Sequence, residues 1–121
     1  MGKGKIAIKD LRIWRQMMKI AQKKAKGINE ILNILSDLKT EIRQRYKAEV
    51  KGVFGSYVKG EQREGSDLDV LVEFDEGANL LDLTGLSLFL EEELNCRVDV
   101  VPESAIRKEI KESILKEAAY L

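Results

Sequence analysis

The stretch G-S-Y-V-K-G-E-Q-R-E-G-S-D-L-D-V-L-V, residues 55–72, decides how the rest of the chain is read. It opens with Gly55-Ser56 at the end of one apolar run and closes with Asp67-Leu68-Asp69 at the start of another. Residues 66–74 predict a strand. Leu68, Val70, Val72 and Phe74 alternate onto one face, and Asp67, Asp69, Leu71 and Glu73 onto the other. The two aspartates therefore point the same way, with side chains about 7 Å apart along the strand. They repel each other, and neither has a basic neighbour within the strand. A hard divalent cation removes that repulsion. Magnesium takes oxygen ligands and is usually held by one or two carboxylates together with substrate phosphates. Such a pair can also bridge two metals about 3.5–4 Å apart, the arrangement used for in-line phosphoryl displacement.

The start of the stretch supplies the phosphate side. Gly55 has no Cβ, so backbone can approach a phosphate closely. Ser56 offers both an N–H and a hydroxyl, and a helical turn beginning there would present free N–H groups to an anion. Lys59 and Arg63, in the same loop, are candidate charge partners for a triphosphate. Taken singly, an Asp-x-Asp pair is common at exposed strand ends and a Gly-Ser pair is an ordinary turn. Together, strand, turn and strand form a hairpin-like unit that places phosphate donors beside metal ligands.

Further out, residues 11–26 predict a helix capped by Asp10, with an apolar stripe of Trp14, Met17, Met18, Ala21 and Ala25 and a basic opposite side. A second helix is predicted over Ile28–Tyr46, its stripe made of Ile28, Ile31, Leu32, Leu35, Leu38 and Ile42. Ala48–Phe54 reads as a buried strand. Asn79 with Asp82 three residues on has the form of a capping box. It opens a helix to about Leu94, with Leu80, Leu83, Leu86, Leu90 and Leu94 inward. Residues 97–101 predict a short strand. A last helix is predicted over residues 105–120, capped by Ser104, with Ile106, Ile110, Ile114 and Leu115 inward. The order α-α-β-turn-β-α-β-α is that of an α/β (α+β) domain, a small sheet with helices on at least one face.

Asp99 lies inside that third strand, between Val98 and Val100, and shares a face with Arg97 and Val101. An aspartate there is expensive to bury unpaired. One resolution is a salt bridge to Arg97 or exposure at the strand end. The other is that its strand lies beside the Asp67–Asp69 strand, so that Asp99 faces the same metals and helps orient and deprotonate an attacking hydroxyl.

With 121 residues the chain has room for one domain with a modest core. Its 44% apolar content fits a folded protein, and its 35% charged content predicts a heavily ionic surface. Cys96 is the single cysteine, so no internal disulfide forms and a cytoplasmic location is expected. No apolar run approaches the ~20 residues of a membrane span. The formal net charge of zero conceals an asymmetry: residues 1–26 carry nine Lys or Arg and one acid. They read as a basic leader and helix attached to an acidic domain, residues 27–121. Without an aromatic platform on the basic helix, a protein partner is favoured over nucleic acid.

The motifs taken together resemble the minimal nucleotidyltransferases of the DNA polymerase β-like superfamily. That family's pattern is Gly-Ser, ten intervening residues, Asp-x-Asp, and a third carboxylate on a later strand. Gly55-Ser56, residues 57–66, Asp67-Leu68-Asp69 and Asp99 fit it without a gap, within a match over residues 29–121. The family often has arginine where this chain has Tyr57 and Lys59, while Arg63 fits the basic position of the loop. The resemblance implies a nucleotidyltransferase fold with a small mixed sheet. It implies ATP as substrate and two Mg²⁺ ions held by Asp67, Asp69 and Asp99, with Asp99 also serving the nucleophile. Gly55, Ser56, Lys59 and Arg63 would hold the nucleotide. It further implies transfer of AMP to a protein hydroxyl, a tyrosine of a HEPN-domain toxin, by an antitoxin. A small molecule or RNA end as acceptor, and a non-catalytic partner-binding module, are the alternatives.

Overall fold

In the computed structural model, which describes residues 27–63 and 65–121, the apolar positions of three strands and two helices meet in one layer. Helix α1 (Ile28–Tyr46) leads into β1 (Ala48–Phe54), a four-residue helix α2 (Ser56–Lys59) and β2 (Leu68–Phe74). Helix α3 (Leu80–Leu94), β3 (Val98–Pro102), a 3₁₀ turn (Glu103–Ala105), α4 (Lys108–Glu117) and β4 (Ala119–Tyr120) complete the order. The expected basic helix at residues 11–26 lies outside the described residues. Among the described residues, no helix is long and apolar enough to cross a membrane.

The sheet is mixed, in the order β3-β2-β1-β4. Strand β1 runs antiparallel to β2 and to β4, and β2 runs parallel to β3. Alternation in β2 is the reason for the layering. Leu68, Val70 and Val72 are fully buried against Ile31, Leu35 and Ile42 of α1 and Leu86, Leu90 and Leu94 of α3. Each such side chain contributes roughly 1.5–3 kcal/mol when fully buried. Two turns fix how the helices meet the strands. Lys47 takes a left-handed conformation (φ 54°), and its N–H donates to the Arg43 carbonyl, so α1 passes directly into β1. Asn95 (φ 53°) ends α3 in the same conformation. At the start of α3, the Asn79 side chain accepts from the Leu81 and Asp82 N–H groups, and Asp82 accepts from the Asn79 N–H at 3.0 Å. That is the capping box expected from the sequence. It also starts the helix so that Leu80 stands in solvent, 73% exposed, rather than joining the inward stripe.

The C-terminal region departs from the expected single helix over residues 105–120. Ile106 and Arg107 have extended backbones (ψ 131° and 141°), so Ser104 falls in the 3₁₀ turn and Arg107 precedes α4 without a side-chain cap. Ile110, expected inward, is 50% exposed, and no residue of α4 is fully buried. Beyond the helix, Ala118 is extended and Ala119–Tyr120 joins the sheet beside Gly52 and Val53. Gly52 permits this pairing, because a Cβ there would collide with the Ala119 carbonyl oxygen. A hydrogen bond from the Tyr120 hydroxyl to the Leu115 carbonyl (2.5 Å) ties the strand back to α4.

Candidate active site

Strand β2 carries the aspartates on the face opposite its buried valines, and the parallel ladder with β3 brings the third to them. Asp69 lies directly beside Asp99 in that register, and Leu68 beside Val98. Across the other edge of β2, Asp69 pairs with Phe54, the last residue of β1. The chain then turns at Gly55, whose φ of 83° favours glycine. A Cβ on Gly55 would strike the Asp69 Oδ2, so the backbone at Gly55 lies against that carboxylate. Ser56 opens α2, with the Gly55 carbonyl accepting from Val58 and Lys59 (3.1 and 3.3 Å). The two ends of the Gly55–Asp69 motif, fourteen residues apart in the chain, thus touch in space.

The electrostatics follow from this crowding. Burial, then the negative charges of Asp99 and Asp67, push the Asp69 carboxyl up to about 6. Asp67 and Asp99 are more exposed than Asp69. Asp67 accepts the Arg97 guanidinium, with Nε 3.3 Å from Oδ1. The salt bridge contemplated between Arg97 and Asp99 is therefore made to Asp67 instead. The structure places the loop residues less uniformly. Lys59 points its ammonium toward Glu117, 3.9 Å away. Arg63 is exposed, and its loop is closed by the Arg63 N–H donating to Ser66 Oγ and the Ser66 N–H donating to the Arg63 carbonyl. Tyr57 is a core residue, only 3% exposed. Burial pushes its phenol up to about 12, with Cys96 adding through its charge and a hydrogen bond. That contact ties the turn after Gly55 to the loop before β3. Sequence reasoning missed this role and the Arg97–Asp67 pair. Both depend on which strand lies beside β2, which local spacing does not specify.

The donor set fits a hard divalent cation. All three candidate ligands are carboxylates, and burial with the like charges of Asp99 and Asp67 raises the proton affinity of Asp69, a load that a cation beside Asp69 and Asp99 would relieve. Among the described residues no group of three acidic, thiol or imidazole side chains is arranged to hold a metal ion.

The mixed four-stranded sheet with helices packed on it matches a nucleotidyltransferase fold. The model of the nucleotidyltransferase domain matches residues 35–121, and the chain belongs to that family of nucleotidyl-transferring enzymes. Its likeness is to the minimal members. Protein adenylyltransferase MntA of Thermococcus cleftensis is 43% identical over 94 residues, which span 78% of this chain and 95% of the relative. A solved structure described as a proposed minimal nucleotidyltransferase superposes with a TM-score of 0.67 at 41% identity, over 79% of this chain and 97% of that one. The crystal structure of a toxin-antitoxin with AMP-PNP shares the fold, with a TM-score of 0.57 at 22% identity over 78% and 72% of the two chains.

Proposed function

We propose that this protein transfers AMP from ATP to a protein hydroxyl, with Mg²⁺ bound, and acts as the antitoxin of a toxin-antitoxin pair whose toxin is a HEPN-domain protein modified on tyrosine. The observation that carries the reading is the parallel register that sets Asp99 beside Asp69, with Gly55 against the Asp69 carboxylate. It converts separate motifs into one site with a phosphate end and a carboxylate end. The adenylyltransferase name of a 43% identical relative supports the reaction, and the toxin-antitoxin neighbour with a bound ATP analogue supports the setting.

In this reading Asp67, Asp69 and Asp99 would hold the two Mg²⁺ ions, which supply charge neutralisation for the triphosphate when bound. The Gly55 backbone and the Ser56 N–H and hydroxyl orient the triphosphate. Arg63 reaches it from the loop, and Lys59 does so by leaving Glu117. Asp99, exposed at the outer edge of the sheet, accepts the proton of the incoming tyrosine hydroxyl. The phenolic oxygen forms its bond to the α-phosphorus, the bond from that phosphorus to the bridging oxygen breaks, and pyrophosphate leaves. Asp67 and Asp99 are exposed at the end of their sheet face, which leaves room for a side chain presented by another protein.

The test is acceptor identification. ATP labelled in the adenine ring is offered with the protein encoded beside this one, with small hydroxyl compounds and with RNA ends. Label on a tyrosine of the neighbouring protein is the expected result. Label on RNA or a small molecule, with none on protein, replaces the proposed acceptor.

A further inference from the structure

The four residues 67, 69, 97 and 99 make a square at one end of the β2–β3 ladder, on the face opposite Leu68 and Val98. Leu68 pairs with Val98, and the Leu68 N–H donates to the Arg97 carbonyl at 2.8 Å, so Asp67 and Arg97 stand side by side one step before the paired residues. The period of two then puts Asp69 and Asp99 on the same face, one step further along. Three corners are acidic and the fourth is Arg97, whose Nε lies 3.3 Å from Asp67 Oδ1. We infer that Arg97 is a built-in counter-cation of the site: it holds Asp67 until a metal–nucleotide complex displaces it, and so keeps out divalent cation that arrives alone.

This inference rests on the metal-and-nucleotide reading above and adds an order of binding to it. A guanidinium on Asp67 competes with a metal for the same oxygen. The pair is well exposed, 75% on Arg97 and 53% on Asp67, so it is weak enough to be broken by a ligand that offers more. A free cation offers nothing to the displaced guanidinium. A metal–nucleotide complex brings phosphate oxygens, which are good bidentate partners for arginine. The exchange swaps one ion pair for another, with Asp67 turned to the metal and Arg97 to the triphosphate. Arg97 is therefore a positioning residue for metal entry and a binding residue for the nucleotide, at a position outside the Gly-Ser and Asp-x-Asp motifs.

The experiment uses the full-length protein with Mn²⁺ as a probe, read by electron paramagnetic resonance without nucleotide. Binding of a non-hydrolysable ATP analogue with Mg²⁺ is read by calorimetry. For Arg97→Ala, free Mn²⁺ should bind about twofold to fivefold more tightly, as expected when one nearby exposed charge is removed. The Mg²⁺–analogue complex should bind more weakly by a similar factor. Arg97→Gln, which keeps the stem and a polar end, should behave like the alanine variant, whereas Arg97→Lys should restore most of both effects. The gain in Mn²⁺ affinity should vanish in the Asp67→Asn background, an outcome that a merely structural Arg97 would not produce. Unchanged or weaker Mn²⁺ binding in both Arg97→Ala and Arg97→Gln overturns the inference. The underlying reading is judged separately: it falls if Asp69→Asn still transfers AMP, and stands if that variant is inactive whatever Arg97 does.

Discussion

Strands β2 and β3 present two faces built from alternate residues of the same backbone, and the two could hardly differ more. On one, Leu68, Val70, Val72, Val98 and Val100 are no more than 9% exposed and pack beneath α1 and α3. On the other stand Asp67, Asp69 and Asp99 with Arg97. The apolar face stabilises the fold. The acidic face costs stability, because burial and like charges work against ionised Asp69. One ladder thus fixes the site to within the precision of strand pairing, while the helices behind it offset the electrostatic cost.

The sharpest way to break this division is to change each face in turn. Asp69→Asn should lower AMP transfer by about a thousandfold, as expected for loss of a metal-binding carboxylate, while leaving the melting temperature unchanged or higher. A loss of both activity and folding would show that the faces are not separable. On the other face, Leu90→Ala should cost about 2–5 kcal/mol in denaturant unfolding, the range for truncating a buried leucine. Transfer per folded molecule should remain at wild-type rate.

Smaller effects sharpen the boundary. Gly55→Ala meets both a positive φ and the Asp69 carboxylate. It should cost about 1–3 kcal/mol of stability and raise the KM for ATP, because Gly55 belongs to the site and to the turn at once. Asn79→Ala removes a helix cap on neither face and should cost about 1 kcal/mol with no change in transfer. A further effect is on pH dependence. Asp69 has a folded value of about 6 against an ordinary 3.8, so the folded state holds more protons between those values. Wild-type stability therefore falls as pH rises through that window. The advantage of Asp69→Asn should be greatest above pH 6 and shrink toward pH 4 in thermal melts recorded without metal.

Much of this arrangement was legible in the chain itself. The alternation at Leu68, Val70 and Val72, the stripe through Ile31, Leu35 and Ile42, and the Asn79–Asp82 capping box are local signals, and the structure realises each. The family pattern linked Asp99 to Asp67 and Asp69, and the parallel register supplies the physical reason. What local reading could not reach depends on contacts distant in sequence. The pattern Ile106, Ile110, Ile114 looks like a helical stripe, yet it says nothing about the extended backbone at Ile106 and Arg107. The strand at Ala119–Tyr120 exists because Gly52, far back in the chain, leaves space for it. Arg97 meets Asp67 rather than Asp99 because neighbouring parallel strands bring residues at equal height together, closer than i and i+2 along one strand. Tyr57, at a position where the family resemblance leads one to expect arginine, turns inward to the core and Cys96.

The central claim is that the acidic face transfers a nucleotidyl group, and the position of the label on ATP tests it most directly. Parallel reactions are run with ATP labelled at the α-phosphate and at the γ-phosphate, each with wild-type protein and with Asp69→Asn. The account predicts that the acceptor retains the α label, that the γ label is released as pyrophosphate, and that both events disappear in the variant. Retention of the γ label on the acceptor, or α-label transfer undiminished in Asp69→Asn, would contradict it.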